Sequence, residues 1–132
     1  MVSRARTVAL VAGGGFAGAN ARWLLAVVLP DLGGTLAANV LGAFALGTVV
    51  ATVAAGRLTP AVRAALATGF LSSFTTYSTF AVESALAGSP ALVLGNVLAN
   101  YALGFGAAAV GLAAGRRAVG STADDTPGGE SA

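Results

Sequence analysis

The chain is predicted to be an all-α membrane protein of four transmembrane helices, the third of them broken, on three observations. Of its 132 residues 56% are apolar, and the mean hydropathy is +0.83. Charged residues make up 9%, far below the roughly 25% of a soluble domain. The charges also leave long gaps: 32–56, 64–82 and 84–115 hold none and 7–29 holds only Arg22, so four stretches approach or exceed the ~20 residues that cross a bilayer.

The first span, 7–29, follows Arg4 and Arg6 as a secretory signal would, but its apolar run continues past any cleavage point and is read as a retained helix. Its Gly14 and Gly18 have the small-xxx-small spacing that lets helix backbones approach closely. The second span, 34–55, carries Gly34, Thr35, Asn39 and Gly42 along one face. In the third, 62–87, hydroxyls fill six of the eight positions 72–79. They cannot all share one packing face, and paired β-branched threonines weaken a helix, so a local break is expected there. The fourth span is 91–114.

Pro30-Asp31, Gly56-Arg57 with Thr59-Pro60, and Gly88-Ser89-Pro90 mark the three turns. Residues 1–115 make one unit, and the polar, Gly- and Ser-rich stretch 116–132 is expected to be a disordered tail. Four helices of small residues enclose little volume. A pathway or binding site is therefore expected where two copies or two related chains meet.

With four spans, Arg4, Arg6, Arg57, Arg63, Arg116 and Arg117 all fall on one side and the opposite connectors carry no arginine, which predicts cytoplasmic N- and C-termini. A sequence pI near 9.9 would suggest nucleic acid in a soluble protein, but arginines at helix ends orient a membrane protein instead, so no nucleic-acid partner is expected. Cysteine and histidine are absent, which removes disulfides, thiolate metal sites and the usual proton shuttle. With the acids at helix ends or in the tail, no base–nucleophile pair is visible and no enzyme is expected.

Four features are candidates to carry chemistry. Asn39 either bonds a neighbouring helix or presents its amide hydrogens to an anion. Arg22, inside the first span beside Trp23, either snorkels to the headgroups or places a cation at a vestibule. Glu83, near the end of the third span, most simply pairs with a basic group or reaches the interface. The break itself would expose carbonyls to a cation and amides to an anion, and Tyr77 and Phe80, three apart, would turn ring edges with positive potential toward that anion.

At this point the residues resemble a known family. GFLSSFTTYSTF over Gly69 to Phe80 looks like the signature of the small CrcB/Fluc fluoride channels, usually close to GFxGGFTTFSTF. GTLAANVLGAFALG and GANARW look like its second- and first-helix motifs, and the match covers about residues 10–112. The resemblance implies an antiparallel dimer in the lipid bilayer, two narrow fluoride pathways and a structural, untransported sodium ion at the dimer centre. It assigns the sodium site to the backbone carbonyls of Ser72 and Thr75. The fluoride pathway falls to Asn39, Tyr77, Ser78, Thr79, Phe80 and Tyr101, and the vestibule to Arg22.

Three positions depart from the pattern: Ser72-Ser73 replaces Gly-Gly, Tyr77 replaces phenylalanine, and Phe105 stands where a serine is common. Together with the one-sided arginines, these favour a heterodimer with a paralogous subunit over a homodimer. Two alternatives go with this reading: a non-conducting partner subunit, and a small multidrug-type transporter. The latter needs an intramembrane carboxylate in the first helix, which has Arg22 and no acid.

Overall fold

A computed structural model describes residues 3–124. Among these the chain forms four helical segments and no strand. The first, α1, spans Arg4–Val28, and the Ser3 hydroxyl caps it by accepting from the Arg6 N–H at 3.3 Å. Pro30 cannot continue the helix, and Asp31 turns the chain with φ 57°, the one positive φ outside glycine among the described residues.

The second segment, α2, spans Leu32–Ala54. Its end is a Schellman closure, in which Gly56, at φ 69°, donates to the Val53 carbonyl at 2.9 Å and Arg57 donates to the Thr52 carbonyl at 3.0 Å. Thr59 then caps the third segment by accepting from Val62, with Pro60 in the first helical position.

That third segment is assembled from pieces: α3 (Pro60–Arg63), a π-helical stretch Ala64–Leu71, and α4 (Ser72–Phe74). Thr75 and Thr76 follow with extended backbones, φ −80° and −150°, before α5 (Tyr77–Ala85) resumes. The Ser72 hydroxyl bonds the Thr68 carbonyl and the Thr75 hydroxyl bonds the Leu71 carbonyl at 3.0 Å. Side chains thus compete for the acceptors on which a regular ladder depends, where the helix widens and then ends.

The last segment, α6, spans Pro90–Asp124, with the Ser89 hydroxyl accepting from Leu92 at 3.3 Å. This corrects the expected end of the span at 114 and the expected disorder from 116: the chain stays helical through Arg116 and Arg117 to Asp124. Adding turns to an existing helix costs no nucleation, and Ala and Arg propagate it readily. Residues 125–132, the rest of the expected tail, lie outside the described residues.

Helices α2 and α6 pack along most of their length, and α1 lies against the π-helical stretch. Small residues permit both contacts. A Cβ on Gly47 would collide with the Ala108 carbonyl, and one on Gly111 with the Phe44 carbonyl. Gly14 and Gly18 face the Ala65 and Phe70 carbonyls in the same way. The interior is thin: among the described residues no large side chain is fully buried, while Phe16, Trp23, Leu86 and Phe105 stand 65–78% exposed, as suits a surface solvated by lipid.

Among the described residues two helices, α2 and Pro90–Ser121, are long and apolar enough, by length and composition, to cross a membrane. The other two expected spans fall short for local reasons: α1 carries Asn20 and Arg22, and the third segment is divided into short pieces.

Candidate functional site

Asn39 sits one turn beyond Thr35 on α2 and reaches across to the extended residues. Its Oδ1 accepts from the Thr76 N–H at 2.9 Å, and its Nδ2 donates to the Thr76 carbonyl at 3.1 Å. One amide thereby satisfies both peptide groups of a residue that has left the helix. The second Nδ2 hydrogen goes to Asn100 Oδ1 on α6, also at 3.1 Å. Of the two readings of Asn39, the bond to neighbouring segments is therefore present, and both amide hydrogens are engaged.

This arrangement strips two carbonyls of their helical donors. The Thr76 N–H, which a continuing helix would send to the Ser72 carbonyl, goes to Asn39. The Thr79 N–H, due at the Thr75 carbonyl, goes instead to Thr76 Oγ1 at 3.2 Å. Thr76 Oγ1 in turn donates to Thr79 Oγ1 at 3.0 Å and lies 3.3 Å from Ser78 Oγ. On the facing helix, a Cβ at Gly42 would collide with the Thr75 methyl, so glycine is what lets the chain lie against α2 here.

A second polar line runs up α6. Asn100 Nδ2 donates to the Asn96 carbonyl at 3.1 Å and to Asn96 Oδ1 at 3.0 Å. Buried Asn96 donates to Ser84 Oγ at 2.8 Å. Nearby, Thr35 Oγ1 donates to Glu83 Oε1 at 2.9 Å, and Glu83 Oε2 is buried with no hydrogen-bond partner. Glu83 thus faces a threonine of α2 and not a basic group, the first of the two partners expected for it.

Four aromatic side chains form a continuous row. Tyr77 and Phe80 lie 5.9 Å apart between ring centres, Phe80 and Tyr101 meet edge to face at 6.4 Å and 85°, and Phe105 follows Tyr101 at 6.1 Å. Phe80 is buried, but Tyr77 and Tyr101 are 73% and 50% exposed.

Asn39, Ser72, Thr75, Tyr77, Phe80 and Tyr101, six of the residues expected at a site, line one cleft of about 450 Å³. Asn100 and Thr76 line it with them. Ser78 and Thr79 are exposed and outside its lining, as is half-buried Arg22 on α1. Sequence reasoning missed Asn96 and Asn100. Their signal was available, as two amides one helical turn apart in an otherwise apolar segment.

Residues 9–112 match the family model described as CrcB-like protein, Camphor Resistance (CrcB). The chain is 58% identical over 103 residues to Fluoride-specific ion channel FluC 1 of Natronomonas pharaonis, covering 76% of this chain and 86% of that protein. It is 49% identical over 106 residues to Fluoride-specific ion channel FluC 1 of Haloarcula marismortui, covering 80% and 82%. To Fluoride-specific ion channel FluC 2 of Halobacterium salinarum it is 45% identical over 121 residues, covering 90% of each. A cleft lined by amides, hydroxyls and aromatic rings in an apolar helical chain, and these matches over most of its length, lead to one conclusion: the chain belongs to the CrcB/Fluc family of fluoride-specific ion channels, membrane channels and not enzymes.

Proposed function

We propose that this chain is a subunit of a fluoride-selective channel that lets fluoride leave the cytoplasm passively and so lowers its internal concentration. The observation that carries this reading is the meeting, on one cleft, of the Asn39 amide with the Phe80–Tyr101 edge-to-face pair. Fluoride is small, strongly hydrated and a strong hydrogen-bond acceptor. Replacing its water needs short, fixed donors in a narrow path, and ring edges add positive potential at little desolvation cost. Larger halides would not fit the same donors, so selectivity follows from pore size and donor placement.

The chain crosses the plasma membrane of a prokaryote four times, with both termini cytoplasmic, as its six one-sided arginines favour. The exposed rings of Tyr77 and Tyr101 leave the cleft open on one side, which supports an antiparallel partner closing it. The carbonyls of Ser72 and Thr75, freed of helical donors, are hard oxygen ligands that fit a sodium ion, with the partner supplying the rest of the shell. A bound cation there would offset the dipoles of carbonyls that have no N–H to face.

The same arginine bias favours a heterodimer, in which an oppositely oriented paralogue completes the assembly and this chain conducts poorly or not at all. The test is fluoride efflux from liposomes, read with a fluoride electrode, for this chain alone and with Asn39→Ala or Phe80→Ala. Wild-type efflux at least about tenfold above both variants supports a conducting homodimer, the difference corresponding to roughly 1.4 kcal/mol of lost stabilisation. Wild-type flux no faster than the variants removes the conducting reading for the chain by itself.

A further inference from the structure

Four amide and hydroxyl side chains form a directional line from α5 to Thr76. Ser84 Oγ accepts from Asn96, so Asn96 turns its Oδ1 the other way, toward Asn100. Asn100 spends its Nδ2 on Asn96 Oδ1 and the Asn96 carbonyl, which leaves its own Oδ1 facing α2. An oxygen in that position accepts only from a donor. The Thr76 N–H and carbonyl set the Asn39 amide with Oδ1 on the N–H, and the Nδ2 hydrogen left over meets the Asn100 oxygen on which this line ends.

We infer that Asn100, held by Asn96, is a positioning residue for the ion pathway: its Oδ1 holds the Asn39 hydrogen that the Thr76 clamp leaves over, the one an anion in the cleft would take. The two hydrogens of Asn39 are not equivalent. One closes the clamp on the Thr76 carbonyl, so taking it would loosen the extended residues. The other rests on Asn100, which lines the same cleft. In the absence of an anion the Asn100 oxygen satisfies that donor, which would otherwise be unpaired in an apolar surrounding. When an anion arrives, the hydrogen changes partner while the clamp stays closed. Without Asn100 that hydrogen loses its acceptor, and the Asn39 amide is held on the Thr76 side alone.

The proposal rests on the fluoride-channel reading for its transport consequence and on the hydrogen-bond geometry alone for the hold of Asn100 on the second Asn39 hydrogen. Two measurements on the full chain separate these. The sequence contains four asparagines, at 20, 39, 96 and 100, and no glutamine, so the side-chain amide region of a nitrogen-15 NMR spectrum holds four assignable pairs. Asn100→Leu, close in volume, is expected to shift the Asn39 pair and to speed exchange of one of its hydrogens at least about tenfold. The Asn20 pair, which bonds within α1 to the Phe16 carbonyl at 2.7 Å, stays in place and reports a folded chain.

In liposomes Asn100→Leu is expected to slow fluoride efflux at least about tenfold, yet to change it less than about twofold when Asn39 is already alanine. A packing role would instead multiply with the loss at Asn39. Should Asn100→Leu not yield a folded chain, Asn96→Leu carries the same expectations, with a smaller shift of the Asn39 pair. An unmoved Asn39 pair, or multiplying effects on efflux, overturns the assignment. A wild type that passes no fluoride overturns the conducting reading, and the amide spectrum still decides the positioning role.

Discussion

Thr76 uses every polar atom it has: both peptide groups bind Asn39, and its hydroxyl accepts from the Thr79 N–H while donating to the Thr79 hydroxyl. Thr76→Val keeps the shape and removes the cap of α5, so it is expected to lower stability by about 1–2 kcal/mol in a thermal melt in detergent, whereas Thr76→Ser retains most of it. At this scale much of the site was legible. Asn39 stands out by its polar face on α2, Tyr77 and Phe80 by their spacing at the expected break, and Tyr101 by the family resemblance alone; all four line one cleft. The particular partners were not legible. Glu83 turns toward Thr35, and Asn39 finds Asn100 across 61 residues of sequence, because a partner is set by how helices cross and not by spacing along one of them.

Among the elements, α2 and α6 form the tightest seam, with Gly47 and Gly111 each set against a carbonyl of the other helix. Gly111→Val puts a branched side chain where even a Cβ does not fit. It is expected to cost about 1–3 kcal/mol or more, seen as a lower melting temperature and loss of a monodisperse elution peak. Gly104→Ala, with open space at its Cβ, is the control and should melt like wild type. The four helical segments were readable from charge gaps and from Pro and Gly at the turns. The pieces of the third segment and the end of α6 were less so. Composition marked 116 onward as polar, but it does not show that the preceding helix has already met the cost of nucleation.

For the whole molecule, the six one-sided arginines predict a single orientation. The chain has no cysteine, so single cysteines can be introduced at Arg57 and at Gly88 and labelled in whole cells with a membrane-impermeant maleimide. Labelling is expected at 88 and not at 57, and equal labelling of both would mean that the chain inserts in both orientations. Replacing sodium by N-methyl-D-glucamine is expected to lower the melting temperature of the assembled wild type, and an unchanged melt would remove the proposed sodium site. The length of α6 has a consequence of its own. Its 35 residues make a rod of about 52 Å, against a hydrocarbon layer of about 30 Å, so roughly 20 Å of it stands clear of the lipid tails. A reporter fused after Asp124 would ride on a mast and not a tether, held at a set height, and an antiparallel pair would raise its two masts from opposite faces of the membrane.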